Sequence, residues 1–191
     1  MEIYSREGFS VKMNRTVRDF QNALETLLIN QPFKKLTVDQ ICNEALLHRS
    51  SFYRYFHDKY DLLEQLLKQR LGTLWEQAQT EDELIESLVQ YVSDHKKLFR
   101  NLTTSASRDS LYTELLRICS EILLGLREAE DDEATIVRLM KASPNPELTA
   151  CTLGGGLMGI LYWWQEQNYD ASDAEMIEFI KQQVQRSPYV K

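Results

Sequence analysis

The sequence predicts an all-α protein in which an N-terminal three-helix unit is followed by a longer helical body. Apolar side chains recur at helical spacing in successive segments of the 191-residue chain. Apolar residues make up 43% of the sequence, which is ample for a core, and 10% aromatic residues argue against disorder. Between Thr37 and Lys59, two short helical patterns are separated by three residues, the length that a helix-turn-helix needs.

The first helix is predicted from about Asn14 to Asn30, and Pro32 ends it. Its inward face carries Val17, Phe20, Ala23, Leu24, Leu27 and Leu28. Residues 1–13 precede it, show no clean period and are expected to form a flexible arm. They lack the apolar stretch of a secretory signal.

The second helix is predicted to start after Thr37 and to end at Ala45. Thr37 is expected to cap it, because Gln40 stands three residues on and completes a capping box. The unpaired amides at this helix end also suit a phosphate oxygen, and the two roles of Thr37 are compatible.

The third helix is expected to open near Arg49, with Phe52 and Phe56 facing inward. Its outward face is cationic and rich in hydroxyl groups, and it carries Arg49, Ser50, Ser51, Tyr53, Arg54 and Tyr55. Such groups fit phosphate oxygens and base edges, and few enzymes need this set on one exposed face. Arg49 is long enough to reach O6 and N7 of a guanine, so we interpret the region as a DNA-binding unit.

The run LHRSSFYRYF, with Asp58-Lys59 and Leu62-Leu63 after it, resembles the DNA-binding signature of the TetR family of bacterial transcriptional regulators. The resemblance is specific over about Val17 to Leu67. It implies that Tyr53 and Lys59 contact DNA phosphates. The predicted DNA-binding residues are Thr37, His48, Arg49, Ser50, Ser51, Tyr53, Arg54, Tyr55 and Lys59.

Two positions depart from the family pattern. Leu46 stands where the family often has glycine, and positive φ there would cost roughly 1 kcal/mol. Either Leu46 packs inward enough to offset this strain, or the turn is built differently. Asp39 replaces a residue that is commonly basic or polar, and it either reads a cytosine amino group or serves the helix dipole.

Further helices are expected along the rest of the chain. Asp58 is expected to cap a fourth helix whose apolar face runs towards Trp75. The patterns then predict helices over 81–94, about 96–102 and 111–128, an acidic loop at 130–133 and a short turn at 136–140. The implied domains are an arm at 1–13, a helix-turn-helix DNA-binding domain at 14–60, and a C-terminal helical ligand-binding and dimerisation domain at 61–187.

The stretch from Glu147 to Gln167 is unusually rich in glycine for a helix. Each helical glycine costs about 0.8–1 kcal/mol relative to alanine, so close approach of a neighbouring helix must offset that cost. With the last helix, from Asp173, it would form a self-complementary surface, and the resemblance implies a four-helix dimer interface. The predicted interface residues are Gly155, Gly159, Trp163, Ile177 and Ile180.

Charge is distributed unevenly in a chain whose net charge is -7. Residues 14–71 hold nine Lys and Arg against seven Asp and Glu, whereas residues 72–191 hold eleven against twenty. Binding to DNA is therefore expected at one end only and should weaken steeply with salt.

Several function classes find no support. No catalytic motif occurs, and the cysteines and histidines are too scattered for a disulfide framework or a metal site, so neither enzyme activity nor a cofactor is expected. No apolar run approaches the ~20 residues of a membrane span. We expect a cytoplasmic protein without membrane contact.

The resulting expectation is a homodimeric, ligand-responsive repressor that binds a double-stranded DNA operator. Its small-molecule effector is unknown. Candidate pocket residues are Tyr91, Phe99, Tyr112, Leu115, Cys119, Met158 and Tyr162, although each is also a plausible core residue. Two alternatives stay open: an architectural or cell-division-linked DNA-binding protein without an effector, and a helical interaction protein that has lost DNA binding.

Overall fold

The computed structural model describes residues 14–103, 111–129 and 134–185. These ranges contain ten α-helices, two 3₁₀ turns and no β-strand, which confirms the predicted all-α fold. The helices are α1 (Arg15–Asn30), α2 (Val38–Ala45), α3 (Arg49–Tyr55), α4 (Lys59–Gln77), α5 (Glu81–Asp94), α6 (Lys96–Thr103), α7 (Leu111–Gly125), α8 (Thr135–Ala142), α9 (Pro146–Glu166) and α10 (Asp173–Gln185). The 3₁₀ turns cover Phe33–Lys35 and Leu126–Glu128.

Most helices begin where a side chain can accept the first unpaired amides. The Asn14 side chain accepts the N–H of Thr16 at 3.0 Å at the start of α1. Asp58 Oδ1 accepts from the amides of Tyr60 and Asp61, at 2.8 and 3.0 Å, where α4 begins. The predicted capping role of Asp58 is thus present in the structure.

Two elements differ from their predicted extents. The short turn expected at 136–140 is a full helix, α8, and the helix expected over 111–128 changes to 3₁₀ geometry after Gly125. The arm predicted at 1–13 and the acidic loop predicted at 130–133 lie outside the described residues.

The chain divides into two compact units. One unit, the head, comprises residues 14–70, 95–103 and 111–114 of the described chain. The other, the body, comprises residues 71–94, 115–129 and 134–185. These units do not coincide with the domains predicted at 14–60 and 61–187, because α6 belongs to the same unit as α1 to α3.

The head is built around α1, which packs against α2, α3 and α6. Phe20, Leu24 and Leu28 on its inward face are fully buried. The amide of Asn101 on α6 donates to the carbonyl of Leu28 at 2.7 Å. Arg70, in the part of α4 that belongs to the head, donates to both carboxylate oxygens of Glu25 at 2.8 and 2.5 Å.

The body contains two apolar clusters. Leu123, Leu126, Val137, Met140 and Ala150 form the core of the first, together with Ala129. The second is formed by Val89, Trp164, Tyr169 and Met176, where α5 packs against α10.

The turn between α9 and α10 is tight because Asn168 and Tyr169 both adopt positive φ, 51° and 61°. The Tyr169 ring packs edge-on against Trp164 at 5.3 Å between centroids. The indole N–H of Trp164 donates to the carbonyl of Ala171 at 2.9 Å. These contacts fix the α9–α10 hairpin, which carries all five of the predicted dimer residues. No helix within the described ranges has the length and apolar content to cross a bilayer.

Candidate nucleic-acid interface

Three phenylalanine rings position α3. Phe52 and Phe56 on the inward side of the α3 segment meet Phe20 of α1 edge-on, with centroids 5.3 and 5.9 Å apart. All three rings are essentially inaccessible to solvent. Because edge-to-face pairs and full burial both favour this arrangement, the rotation of α3 about its axis is fixed. The opposite side of the helix must therefore face outward.

The outward side of α3 carries most of the predicted DNA-binding residues. His48, Arg49, Ser50 and Arg54 are exposed, and Tyr53 is half exposed. Thr37, at the start of α2, is exposed as well. Ser51, Tyr55 and Lys59 are only partly accessible. The structure thus brings the cationic and hydroxyl groups of the helix-turn-helix to one surface of the head.

Arg49 is held by contacts from both helices of the motif. Its Nη1 donates to Asp39 Oδ1 of α2 at 2.7 Å, and its Nη2 donates to the Tyr53 hydroxyl of α3 at 3.1 Å. The guanidinium carbon lies 5.6 Å from the centroid of the Tyr53 ring. The hydrogen bond to Tyr53, followed by the charge of Asp39, raises the pKa of Arg49 further above its ordinary value. Arg49 is therefore a permanent cation with a defined orientation.

Thr37 forms the predicted capping box with Gln40. Its Oγ1 accepts a hydrogen bond from the backbone N–H of Gln40 at 3.2 Å, and its own backbone N–H donates to Gln40 Oε1 at 2.9 Å. The capping role is thus present in the structure. The predicted phosphate contact of Thr37 stays a prediction.

Tyr55 links the end of α3 to the start of α1. Its hydroxyl accepts a hydrogen bond from Nδ2 of Asn14 at 2.8 Å. The same Asn14 caps α1 through its Oδ1. A single asparagine therefore connects the two helices, and the Tyr55 hydroxyl retains its own proton for a further acceptor such as a phosphate oxygen.

Lys59 has a structural environment that the family resemblance did not indicate. Its ammonium donates to the carbonyls of Phe33, Lys34 and Leu36 at 3.1, 3.1 and 2.8 Å. It also lies 4.9 Å from the centroid of the Phe33 ring. Burial lowers the pKa of Lys59, and the neighbouring Asp58 carboxylate opposes this shift. All three N–H donors of the ammonium already have carbonyl acceptors, so a phosphate contact would have to displace one of them.

Leu46 adopts left-handed backbone, with φ 55° and ψ 36°, at the end of α2. Its side chain is 90% exposed, so inward packing does not offset the strain. The Leu47 amide donates to the Cys42 carbonyl at 3.0 Å, which closes the helix end. The turn therefore has the geometry that a glycine would adopt, with a leucine in that position.

The predicted dimer residues fall into two groups. Gly155 and Gly159 of α9 have open space where a Cβ would stand, and Trp163 is 52% exposed. Leu148, Leu157 and Tyr162 on the same helix are exposed large apolar residues. Ile177 and Ile180 of α10 instead pack partly against the cluster around Trp164 within the same chain. Phe179, between them in sequence, is the exposed apolar residue of α10 and was not singled out from the sequence.

The predicted pocket residues are divided between the two units. Phe99 and Tyr112 belong to the head, and Tyr91, Leu115, Cys119, Met158 and Tyr162 belong to the body. Leu115 and Met158 are buried core residues, and Tyr112 and Tyr162 are exposed. Burial raises the pKa of the Cys119 thiol to about 11. Tyr91 alone among them lines the open groove of about 560 Å³ in the body, whose other lining residues are Leu74, Glu86, Ser87, Gln90, Asp94 and Ile177.

The sequence predicted which side of α3 is exposed, and it did not predict the contacts among the candidate interface residues. The pairing of Asp39 with Arg49 and the three carbonyl contacts of Lys59 join residues that are ten and more than twenty positions apart. Charge complementarity between Asp39 and Arg49 was the available signal. It was not decisive, because the distance between them depends on how α2 and α3 cross.

Comparison with known proteins gives two family matches that together span most of the chain. The family model described as "Bacterial regulatory proteins, tetR family" matches residues 22–66, which include α2 and α3. The model described as "Transcriptional regulator C-terminal region" matches residues 79–186. No curated protein matches the chain by sequence.

Solved structures that are similar to the chain include three regulators. The fatty acid degradation regulator FadR from Bacillus halodurans aligns with a TM-score of 0.60 at 13% identity, covering 93% of this chain and 98% of that chain. The dihydroxyacetone kinase operon activator DhaS aligns with a TM-score of 0.58 at 13% identity, covering 89% and 94%. A TetR transcriptional regulator from Streptococcus agalactiae 2603V gives 0.57 at 19% identity, covering 90% and 94%.

At these identities the solved structures show a shared fold and no more. The family models are more specific, because one covers the helix-turn-helix and the other covers more than half of the chain. With the exposed cationic face of α3, they lead to one conclusion: the chain belongs to the TetR family of bacterial transcriptional regulators.

Proposed function

We propose that this DNA-binding transcriptional regulator is a homodimeric, ligand-responsive repressor. In this proposal, each α3 enters the major groove of one half of a near-palindromic operator. A small-molecule effector favours a conformation of the body in which the two heads no longer match the operator, so that DNA is released by population shift. Family membership makes the chain a regulator of transcription and not an enzyme.

The outward face of α3 is the observation that carries the DNA-binding part of the proposal. Arg49 and Arg54 supply charge for guanine edges or phosphates, and Ser50 is short enough to let the helix lie deep in the groove. Tyr53, half exposed, has a hydroxyl that can bond a phosphate and fix register. The phenylalanine packing beneath α3 supports recognition, because it orients these groups before DNA arrives.

The exposed apolar face of α9 supports the homodimer. Leu148, Tyr162 and Trp163 place large apolar side chains in solvent on one side of this helix, and large exposed apolar patches are uncommon on monomeric proteins. The open positions at Gly155 and Gly159 allow a second helix to approach closely. A second copy of the chain would present the same surface, and a two-fold interface joins two identical surfaces.

In this proposal, the effector binds in the body. The groove beside Tyr91 falls within the volume range of small-molecule sites, but it is open and partly acidic, since Glu86 and Asp94 line it. Lys181 lies next to it and is paired with Asp82 at 3.2 Å and Glu86 at 2.8 Å. A ligand that binds here would compete with these polar contacts.

Fluorescence anisotropy with DNA from the gene's own promoter tests the DNA-binding part. We expect Arg49→Ala to weaken specific binding at least about tenfold, which corresponds to loss of one good base contact. Arg127→Ala is the matched control, because Arg127 is an exposed arginine of the body. Equal affinities of the parent and Arg49→Ala would reject the assignment of α3 as the recognition helix.

Transcription from the bound promoter distinguishes repression from activation. We expect deletion of the gene to raise transcription from that promoter, and a small molecule that stabilises the purified protein to lower its affinity for operator DNA. A fall in transcription on deletion would indicate an activator instead. Stabilising ligands that leave operator affinity unchanged would argue against the effector mechanism.

A further inference from the structure

The ion pair between Asp39 and Arg49 is unusual for a surface that must meet a polyanion. Asp39 places a carboxylate on the same side of the motif as Arg49 and Tyr53, where phosphates would repel it. Both side chains of the pair are more than half exposed, at 61% and 56%, so the pair contributes little to folding stability. A role in DNA recognition accounts for its position better than a role in stability.

The two contacts of Arg49 still leave it able to read a base. A guanidinium has five N–H donors, of which Asp39 and Tyr53 each take one. The remaining three suffice for the paired bonds to O6 and N7 of guanine. Held from both sides, the side chain also has less conformational freedom to lose on binding.

We propose that Asp39 is a specificity-determining residue that positions Arg49 to read a G·C base pair and disfavours its use on phosphates. The inference rests on the proposed function, because it assumes that α3 lies in the major groove. In that groove, guanine presents two acceptors and its paired cytosine presents an amino donor beside them. The linked Arg49 and Asp39 present the complementary order, donors followed by an acceptor. If Arg49 were not paired with Asp39, its guanidinium could bind any phosphate at no cost. The paired Arg49 must first break its hydrogen bond to Asp39.

Selection of binding sites from randomised duplex DNA, using the full-length protein, tests this inference. We expect the parent to select guanine at one position of each half-site. Asp39→Asn keeps the shape and removes the charge, so guanine preference at that position should fall about tenfold while affinity for scrambled DNA rises several-fold. Tyr53→Phe removes the second contact of Arg49 without a charge change, so it should reduce the guanine preference. Loss of the proposed phosphate contact of the Tyr53 hydroxyl should also lower affinity for all duplexes alike, which is opposite in sign to the effect of Asp39→Asn.

Glu44→Gln provides the matched control for charge. Glu44 is an exposed carboxylate on the same helix, α2, in its last turn. Its replacement should raise affinity for scrambled DNA to a similar extent and leave the guanine preference intact. Asp39→Glu retains a carboxylate and should restore much of the preference that Asp39→Asn loses.

Each outcome bears on the inference. A guanine preference that is equal in the parent, Asp39→Asn and Glu44→Gln would reduce Asp39 to a helix-dipole residue and overturn it. A selected half-site without the guanine would overturn it as well. Failure of the parent to select any sequence would instead contradict the proposed function, so the two failures are distinguishable.

Discussion

The ammonium group of Lys59 connects the first residue of α4 to the turn that precedes α2. It donates to the carbonyls of Phe33, Lys34 and Leu36, and the Phe33 carbonyl also accepts the backbone amide of Leu36 within the 3₁₀ turn. A charged donor to backbone carbonyls stabilises the fold, so Lys59 contributes to the head whether or not DNA is present. This role differs from the phosphate contact that the family resemblance implies.

Replacing Lys59 separates these two roles. We expect Lys59→Met to lower the free energy of unfolding by about 1.5–3 kcal/mol, because the hydrogen bonds of a charged donor to backbone carbonyls are lost. If Lys59 makes no phosphate contact, the slope of log DNA affinity against log salt concentration should be the same in Lys59→Met and in the parent. Chemical denaturation and anisotropy at several salt concentrations measure the two effects.

Lys35→Met is the control for this experiment, because Lys35 is an exposed lysine of the same turn. Its unfolding free energy should change by less than about 0.5 kcal/mol. A Lys59→Met variant of parental stability, with a salt slope reduced by about 0.9, would identify Lys59 as a phosphate ligand.

Residue positions were predictable from the sequence to the extent that they depend on local periodicity. The spacing of Phe52 and Phe56 indicated which side of α3 faces inward, and Thr37 with Gln40 indicated the cap. The partners of Asp39 and Lys59 were not predictable, because they depend on how separate helices cross in space. The conformation of Leu46 was not predictable either. The leucine left open whether the turn has positive φ, and the backbone there is left-handed.

At the scale of elements, the glycines of α9 have different environments. A Cβ on Gly154 would lie 3.3 Å from Ser120 Oγ and 3.4 Å from Cys119 Cβ, so this glycine permits close packing within the chain. A Cβ on Gly159 would meet nothing within 4 Å. Helix propensity alone would favour another residue at position 159 by about 1 kcal/mol. In the proposed homodimer, close approach of a second copy of the chain would offset this cost.

Leucine at position 159 therefore tests the proposed interface without loss of the protomer's fold. We expect Gly159→Leu to raise the dimer dissociation constant at least about tenfold, because helices at a contact cannot approach as closely around a larger side chain. The midpoint temperature of thermal unfolding, measured on dilute protein, should not fall. Sedimentation equilibrium measures the dissociation constant.

Gly154→Ala serves as the comparison, because it should destabilise the protomer and leave association largely intact. An unchanged dissociation constant in Gly159→Leu would place the interface on a different surface.

Element boundaries also show where sequence reasoning succeeds and where it fails. Helices with strong periodicity and a side-chain cap, such as α1, α2 and α4, begin within a residue of their predicted start. The helix α8 was predicted only as a turn, because its eight residues span little more than two turns, too short a segment for apolar spacing to distinguish a helix from a turn. Val137 and Met140 are nevertheless fully buried, so tertiary packing in the body stabilises this short helix.

At the scale of the whole molecule, the head is built from separate segments of the chain. The segment 95–103 contributes α6, whose buried residues are Leu98 and Leu102. It also contributes Lys96, Lys97 and Arg100, so the described head holds twelve Lys and Arg against eight Asp and Glu. This excess is larger than the one estimated for residues 14–71 alone, and it increases the attraction between this unit and DNA.

Truncation of Leu102 tests whether α6 is structurally part of the head. We expect Leu102→Ala to destabilise the protein by about 2–5 kcal/mol and to increase amide hydrogen exchange in α1, against which α6 packs. Leu139→Ala makes the same truncation in the body, where Leu139 is buried on α8. It should leave exchange in α1 nearly unchanged. Equal protection of α1 in the parent and Leu102→Ala would show that α6 is dispensable to the head.

The position of α6 has a consequence for the construction of chimeric biosensors. Joining the first 70 residues to a foreign sensor domain by a single crossover would separate α1 from Leu98, Leu102 and the amide of Asn101. The transplanted part of the head would then lack some of its own core residues. A functional hybrid should carry residues 95–103 along with 14–70, which requires three junctions, after Arg70, after Asp94 and after Thr103. Point substitutions in the body, in residues 71–94 and 115–185, leave the head segments joined and avoid this constraint.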